Sequence, residues 1–444
     1  MQCVDFSRRF SIPHREFALT RHHQMAKADH DSTYLAIRNA SQQFRDEISD
    51  IYFGHSYRYQ YNGNPTRFGE IMGVEATNKQ VKKLLMLQDE FGVPVSLTLN
   101  TLEPHMEILH DKEVREGLIA YIKTFYDWGL RICTQSNKHL MASGILQEHF
   151  PDMEWKNTVN HMVRSAQEVA DYAALGYTTI LLDRSLNRDF NELKNIKRVA
   201  DLKGVKTSLL VTEGCLPACP FKNEHDDVQY ESQNTVTYWA MYGDLSCNRW
   251  RFGGEPMPRT GTDLNVVTKD QLELLMSYVD ILKFSGRLAG RLAESDKIDC
   301  YHWSVRPSTG IPAPGVPMKN TLSRMDSFQS IYDAGLEPLN VWVPTATIDS
   351  GDELNNVSKE EYDEKVKGSM FYRWQTPKGL SLSKVLMNCK NQCWDCHACE
   401  RVFGQPDMDT LLEMKPVVTK DYMGKADVLS PDFKQRVIKL KEII

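Results

Sequence analysis

Short apolar segments alternate with longer amphipathic segments along most of this chain, and this alternation is the strongest constraint on its fold. The apolar segments are rich in Val, Ile, Leu and Thr, and the segments between them carry apolar residues at helical spacing. Such alternation is typical of βα units built around a parallel sheet. The pattern therefore predicts an α/β fold with parallel strands.

Eight strand candidates follow one another along the chain. They are residues 51–54, 93–100, 130–134, 153–160, 178–183, 205–212, 280–285 and 338–343. Helical segments separate several of them, such as 163–175, which Gly176 ends, and 189–202. Eight strands with intervening helices fit a closed (β/α)8 barrel, so we predict a TIM-like barrel.

The chain has 444 residues, enough for a barrel that carries additional elements. The βα alternation ends after residue 344, so we predict a barrel domain over 1–344 and a C-terminal cysteine-rich extension over 345–444. Residues 220–266 are polar and rich in Trp, Tyr and Gly. A stretch of that length exceeds an ordinary βα loop, and we expect it to be a functional insertion in the barrel.

Composition and charge indicate in which cellular compartment the protein is expected and which classes of ligand it can bind. No segment approaches the roughly 18 uninterrupted apolar residues of a spanning helix, so we expect no membrane insertion. The N-terminus lacks the apolar run of a signal peptide, so we expect a cytoplasmic protein. The net charge of -6 gives no global basic field, so RNA would have to bind to a local patch. Because cytoplasmic thiols stay reduced, the ten cysteines indicate metal binding or catalysis before disulfides.

Four cysteines crowd into the segment NCKNQCWDCHACE near the C-terminus; they are Cys389, Cys393, Cys396 and Cys399. Thiolates this close together can converge on one soft metal centre. Zinc sites usually join two cysteine pairs that lie further apart, whereas consecutive short gaps are typical of iron-sulfur proteins. This C-terminal cysteine run therefore favours an iron-sulfur cluster over zinc. Its first three cysteines also match the spacing of radical S-adenosylmethionine enzymes, but there the motif normally follows the first barrel strand.

A second group of candidate ligands follows the strand candidate at 205–212. The segment TEGCLPACPFKNEH contains Cys215, Cys219 and His225, and catalytic groups of parallel barrels lie on the loops that leave the C-terminal ends of strands. Cys247 and Cys300, on later loops, would complete a four-thiolate site. The alternative is two packed thiols in a proline-rich turn. Cys3 and Cys133 are expected to be small buried apolar residues.

Arginines recur near other strand ends. They are Arg58, Arg67, Arg184, Arg188, Arg287 and Arg291. Guanidinium groups bind carboxylates and phosphates with two parallel hydrogen bonds, so their convergence would suit a small anionic substrate. The alternative is a set of solvated or ion-paired surface arginines. His55, at the end of the first strand candidate, is a candidate proton carrier or substrate contact, with a hydrogen-bonded structural histidine as the alternative.

The order of several segments resembles the collagenase-like peptidase family. The matching segments are IYFGHSYRY, VSLTLNTL, the stretch from MEWKNTVN through ILLDRSLNRDFNEL, the cysteine after LLVTEG, and DILKFSGR, which together span residues 45–300. The resemblance implies a TIM-like barrel with a cysteine-bound [4Fe-4S] cluster. It also implies oxygen-independent hydroxylation of tRNA, rRNA or ubiquinone precursors, with prephenate as the oxygen donor.

By that resemblance, Cys215, Cys219, Cys247 and Cys300 are cluster ligands, and Arg184 and Arg287 line the barrel mouth. Three departures mark a divergent member. The first two cysteines are closer together than is usual in the family, the family's later paired-cysteine segment that ends in Arg is absent, and the C-terminal cysteine run is an addition. One or two [4Fe-4S] clusters are therefore expected.

Three functions follow from these residues. The first is an iron-sulfur oxidoreductase or hydroxylase that acts on an RNA base or a small aromatic or anionic substrate and receives electrons from a donor. The second is a cysteine-type hydrolase that uses Cys215 with His225. The third is a module in which zinc folds the C-terminal tail and the barrel binds RNA or protein.

Overall fold

The computed structural model describes most of the chain up to residue 210 and shorter segments beyond it. The described residues are 7–13, 34, 37, 38, 40, 42–70, 75–102, 105–210, 222, 269–283, 304–307, 336–339 and 393–396. The predicted domain boundary at residue 344, and the predicted insertion apart from Lys222, lie outside them. The division into two domains therefore stays a prediction.

Eight parallel strands form a closed barrel, which confirms the predicted fold class. The strands of the described chain are β1 (Phe10–Pro13), β2 (Ile48–Gly54), β3 (Ser56–Tyr61), β4 (Asn64–Gly69), β5 (Val95–Leu99), β6 (Ile132–Gln135), β7 (Glu154–Lys156), β8 (Thr179–Leu182), β9 (Lys206–Leu210), β10 (Ile281–Lys283), β11 (Ser304–Pro307) and β12 (Leu336–Leu339). Around the barrel the order is β1, β2, β5, β6, β7, β8, β9 and β10, and pairing of β10 with β1 closes the ring.

Helices occupy the connections between the barrel strands. They are α1 (Gln42–Asp46), α2 (Asn78–Phe91), α3 (Met106–His110), α4 (Lys112–Asp127), α5 (Lys138–Ala142), α6 (Ile145–His149), α7 (Ala166–Ala174), α8 (Phe190–Lys203) and α9 (Lys269–Met276), with a single turn, α10 (Cys393–Cys396), near the C-terminus. Two 3-10 turns, Val159–His161 and Arg184–Arg188, follow β7 and β8. No helix in the described part of the chain is long and apolar enough to cross a membrane.

Local sequence sets the ends of these helices. The Thr77 side chain accepts a hydrogen bond from the backbone N–H of Gln80, and the Gln80 side chain accepts one from the backbone N–H of Thr77, which together form a capping box that begins α2. Gly92 ends the same helix with φ +66°, a left-handed conformation that favours glycine. The same kind of capping box, at Ser165 and Glu168, begins α7.

The eighth predicted strand was wrong. Within the predicted range 338–343, the described residues belong to β12, which pairs antiparallel with β11 outside the barrel. The place in the ring belongs to β1, which pairs in parallel with both β2 and β10. The segment FSIP has only four residues and includes a proline, so it is too short for a recognisable periodicity. Its pairing on both sides, which only the tertiary structure supplies, makes it a strand.

The apolar core lies between the barrel and its helices. Phe53, on the outer face of β2, packs against Phe125 of α4 with ring centroids 6.1 Å apart. Cys133 of β6 is fully buried in the same layer, as expected of a small apolar residue, and burial raises the pKa of its thiol above the ordinary value. Hydrophobic burial in this outer layer supplies most of the driving force for folding.

A two-stranded hairpin, β3–β4, projects from the C-terminal end of β2. Asn62 and Gly63, with φ of +50° and +78°, form its two-residue turn, as expected for an Asn-Gly sequence between strands. At its base, a Cβ on Gly69 would lie 2.4 Å from the carbonyl oxygen of His55. Only glycine permits this approach, which holds the hairpin against the end of the barrel.

We predict that Phe10→Ala lowers the free energy of unfolding by about 3–5 kcal/mol, because it empties a fully buried aromatic site in the strand that closes the barrel. Chemical denaturation followed by circular dichroism measures the change. Leu202→Ala, at a leucine that is 73% exposed on α8, is the matched control. Equal small effects in both variants would contradict a closing role for β1.

Candidate functional site

Two cationic side chains meet at one amide oxygen beyond the C-terminal ends of the barrel strands. Asn160 lies in the 3-10 turn after β7, Arg184 follows β8, and Lys222 lies further along the chain after β9. The Asn160 Oδ1 accepts from Arg184 Nη2 at 3.4 Å and from Lys222 Nζ at 3.5 Å. Arg184 and Lys222 are both more than nine-tenths buried. This end of the barrel, which we call the mouth, thus brings two buried cationic side chains together.

The residue before Arg184 explains how that arginine is held. Asp183 caps the 3-10 turn by accepting a hydrogen bond from the backbone N–H of Ser185 at 2.7 Å. The Asp183 carboxylate also pairs with Arg164 at 3.1 Å. Arg184 therefore begins a short rigid turn whose start is anchored on two sides. Arg188, at the end of that turn, is also buried.

A buried ion pair crosses the interior of the barrel. Lys156, the last residue of β7, lies with its Nζ 2.7 Å from Oδ1 of Asp50 on β2, and both side chains are almost completely buried. Because β5 and β6 separate these two strands in the ring, the contact can only span the interior. Ser96 of β5 donates a hydrogen bond to the other oxygen of Asp50.

Inside the barrel, the neighbours of Asp50 lower the pKa of its carboxyl group. Burial by itself would raise the pKa of Asp50, but the attraction of Lys156 and the hydrogen bonds from Lys156 and Ser96 outweigh it, so the pKa lies below its ordinary value. Asp50 is therefore ionised at neutral pH. A second lysine, Lys283 at the end of β10, places its Nζ 4.2 Å from the ring centroid of Tyr52.

His55 is turned toward the outer helices. Its Nδ1 lies 2.7 Å from the hydroxyl of Tyr121, and its ring packs edge-on against Phe125, both on α4. Burial is the main cause that lowers the pKa of His55 below its ordinary value. These contacts fit the structural alternative for His55 that the sequence left open.

Two of the other candidate arginines are ion-paired beside the hairpin. Arg58 lies 2.8 Å from a carboxylate oxygen of Glu75, and Arg67 lies 3.3 Å from the same oxygen. Arg67 also donates to the backbone carbonyl of Glu70 at 2.7 Å. Both match the ion-paired alternative, so the structure separates them from Arg184 at the mouth.

Most predicted metal ligands fall outside the described residues. These are Cys215, Cys219, Cys247, Cys300, Cys389 and Cys399, together with the candidate catalytic residues His225 and Arg287 and the unassigned Cys3 and Arg291. Cys393 and Cys396 begin and end the single turn α10, so they lie three residues apart on one helix face, and Cys396 is exposed. Within the described ranges, no three His, Cys, Asp or Glu side chains are grouped to hold a metal ion.

Sequence reasoning missed Asp50, Lys156, Asn160 and Lys222. A signal for the first two was present, because each is a charged residue within a strand that otherwise reads as buried. Charged residues are almost never fully buried unless they are paired. No local sequence pattern marked Asn160 or Lys222 as a candidate site residue.

His161, next to Asn160, is a further buried histidine. Its Nε2 donates to the backbone carbonyl of Ser136 at 2.9 Å, and its ring packs against Tyr172. Burial, with a smaller contribution from Lys138, lowers the pKa of His161 to about 4. The imidazole is therefore neutral at physiological pH, and it fixes the loop after β6 against the loop after β7.

This chain was compared with protein-family models, curated proteins and solved structures. No protein-family model matches the sequence, and no curated protein matches it. Among solved structures, the chain is similar to the U32 peptidase Mk0906, with 13% sequence identity and a TM-score of 0.37 over 64% of this chain and 93% of that chain. A match at this level carries no argument about activity.

We predict that stability falls as the pH drops from about 6.5 to 4 and that His161→Gln removes part of this dependence. In that window the unfolded chain binds a proton on this histidine, whose ordinary pKa is about 6.5, and the folded protein does not, since its pKa is about 4. The loss should reach about 3 kcal/mol. Denaturant unfolding at several pH values measures it.

The exposed His139, replaced by Gln, is the control for that experiment. An unaltered slope between pH 4 and 6.5 in His161→Gln would show that this imidazole is not held neutral in the folded state.

Proposed function

We propose that this protein is an iron-sulfur enzyme that binds a small anionic substrate at the barrel mouth. The observation that carries the proposal is the convergence of Arg184 and Lys222 on Asn160, at the end of the barrel where enzymes of this architecture bind their substrates. Both side chains carry a positive charge and donate hydrogen bonds, which a carboxylate or phosphate group accepts.

The cysteines support the cofactor part of the proposal. Cys393 and Cys396 begin and end one helical turn, a spacing that iron-sulfur ligands use, and Cys396 is exposed. Thiolates are the ligands that iron-sulfur clusters use. These residues fit a [4Fe-4S] cluster, which when bound supplies one-electron transfer.

In the sequence, Cys215 and Cys219 lie between the end of β9 and Lys222. Cys215 follows Leu210, the last residue of β9, by five positions, and Cys219 precedes Lys222 by three. Leu210 and Lys222 both belong to the described part of the chain, and Lys222 contacts Asn160 at the mouth. Chain connectivity therefore supports a cluster site next to the anion site.

The reaction class rests on the family resemblance of residues 45–300. It is an oxygen-independent hydroxylation, or a related redox modification, of an RNA base or a small aromatic acceptor, with prephenate as the anionic co-substrate. In this scheme Arg184, Lys222 and Asn160 bind and orient the carboxylate. Burial of both cations excludes water from that contact and strengthens it. Arg287 and His225 are proposed additional contacts.

We predict that protein purified without oxygen contains iron and acid-labile sulfide and shows the broad visible absorption of a cluster. Cys393→Ser and Cys396→Ser should each lower the iron content, because serine is a poor ligand for a soft metal centre. Metal and sulfide analysis with electron paramagnetic resonance measures this.

Cys133→Ala is the matched control for the cysteine variants, since this buried thiol lies in the apolar core. Zinc without sulfide would overturn the iron-sulfur proposal and favour a zinc-folded module. Thiol-dependent peptide cleavage by iron-free protein would favour the hydrolase. Iron that is unchanged in both serine variants would remove the C-terminal cysteine run from the ligand set.

We predict that Arg184→Met weakens prephenate binding about tenfold or more, because a hydrogen bond to a charged group contributes about 1.5–3 kcal/mol. Calorimetric titration measures the dissociation constant. Arg131→Met is the control, because Arg131 pairs with Asp152 at the protein surface. Equal affinities in both variants would place the anion elsewhere.

A further inference from the structure

Three side chains inside the barrel contact one another in series beneath the mouth. Lys156 places its Nζ 2.7 Å from Oδ1 of Asp50, and Ser96 donates a hydrogen bond to the other oxygen of that carboxylate. A nucleophile within hydrogen-bond reach of a base, with the base oriented by a third group, is the arrangement of activated enzyme nucleophiles. Lys156 is the last residue of β7, and catalytic groups of such barrels lie at the C-terminal ends of strands. This arrangement marks Lys156 as a candidate nucleophile.

Hydroxyl groups lie near this lysine on the inner face of the barrel. Thr134 is the Cα partner of Lys156, Thr98 is the partner of Thr134, and Cα partners on neighbouring strands share a face. Ser11 is in the same way the partner of Asp50. The hydroxyls of Thr98 and Ser11 are buried and have no hydrogen-bond partner within the part of the chain that the structure describes. A carbonyl oxygen, which accepts hydrogen bonds, fits beside such donors.

A purely structural role accounts poorly for the Asp50–Lys156 pair. Desolvation of two buried charges offsets most of their attraction, so apolar side chains of similar volume often give equal or greater stability. Lys206 of β9, by contrast, pairs with Glu154 at 3.2 Å and has a side chain that is 59% exposed. The side chain of Lys156 is only 5% exposed. Buried lysines are the ones that enzymes use for Schiff-base chemistry.

We propose that Lys156 is a nucleophile that forms a Schiff base with the carbonyl group of a small ketone or aldehyde inside the barrel. The ammonium first gives a proton to Asp50, and the amine nitrogen then attacks the carbonyl carbon. A proton moves from this nitrogen to the oxygen, which gives a carbinolamine. Asp50 returns its proton to the hydroxyl group, which leaves as water while the C=N bond forms. Nothing is oxidised or reduced, and the positive charge stays on the nitrogen beside Asp50.

The surroundings of Asp50 suit a group that takes up a proton and gives it back. Burial is the largest influence on the pKa of Asp50 and raises it, and the charge of Lys156 is the largest of the influences that lower it. When Lys156 is a neutral amine, its lowering influence is gone, so the buried carboxylate takes the proton more readily. The positive charge of the Schiff base restores that influence and favours return of the proton.

Trapping with borohydride tests the proposal on the unaltered protein. Sodium borohydride reduces a Schiff base to a stable secondary amine, so incubation with hydroxyacetone, a neutral ketone, followed by borohydride should attach a hydroxyacetone-derived group to the protein. Peptide mapping by mass spectrometry should place this group on Lys156, ahead of exposed lysines such as Lys206. Labelling of the exposed lysines with Lys156 unlabelled would overturn the inference.

A charge-neutral pair of substitutions tests the site. Lys156→Met alone would leave Asp50 buried and unpaired, which can prevent folding. The double variant Asp50→Asn/Lys156→Met removes both charges together, so it should fold, as circular dichroism shows, and should lose the fast-forming label. Lys206→Met is the control and should be labelled like the unaltered protein. Equal labelling of the double variant would place the reactive amine elsewhere and overturn the inference.

Ser96→Ala tests the part that Asp50 plays. This change keeps both charges and removes the hydrogen bond that orients the carboxylate. Labelling of Lys156 should slow about tenfold, the rate equivalent of one hydrogen bond to a charged group. Thr101→Val is the control, because its buried hydroxyl bonds to Gly69 and not to Asp50. An unchanged rate in Ser96→Ala would overturn the assignment of Asp50 as the base.

The inference goes beyond the proposed function and does not depend on it. A neutral ketone needs no anion site, and Lys156 and Asp50 are not among the residues of the Arg184–Asn160–Lys222 contact. Trapping of hydroxyacetone therefore reports on Lys156, whereas the prephenate affinity of Arg184→Met reports on the mouth. Labelled Lys156 together with an unaltered prephenate affinity would leave the Schiff base standing and count against the mouth site. Unlabelled Lys156 would overturn the inference, whatever the prephenate affinity is.

Discussion

Closure of the parallel ring by β1 is the constraint on which the rest of the structure depends. Phe10–Pro13 pairs with β2 on one side and with β10 on the other. An open parallel sheet would leave two unpaired edges and no enclosed interior, whereas closure removes both edges. It also brings the C-terminal ends of all eight strands to one rim. The convergence of the loops after β7, β8 and β9 on Asn160 follows from that closure.

The inner face of the barrel carries charged and polar side chains, whereas the outer face carries apolar side chains that pack against the helices. TIM barrels are usually filled by bulky branched apolar side chains, but Asp50, Ser96 and Lys156 occupy part of this interior. Desolvation of a buried ion pair offsets most of its attraction, so the pair adds little net stability. The outer layer, in which Phe53 and Phe125 pack, supplies the hydrophobic stabilisation instead.

The arginines show how tertiary structure sorts residues that look alike in sequence. Arg58 and Arg67 follow a strand as Arg184 does, yet both pair with Glu75 beside the hairpin. Arg184 instead shares Asn160 with Lys222. No local pattern distinguishes the two outcomes, because each depends on which side chain the fold brings opposite the guanidinium. The same reason explains why Asn160 and Lys222 were missed.

The sequence by itself determined the α/β class, the position of seven of the barrel strands and the helix ends. Each depends on interactions between residues close in the chain, such as the Thr77–Gln80 capping box and the φ that Gly92 adopts. The crowding of cysteines predicts a metal-binding segment. Only the tertiary structure decided that β1 closes the ring, that Asp50 meets Lys156, and that Arg184 shares Asn160 with Lys222. Those contacts join residues distant in the chain, and periodicity and spacing carry no information about them.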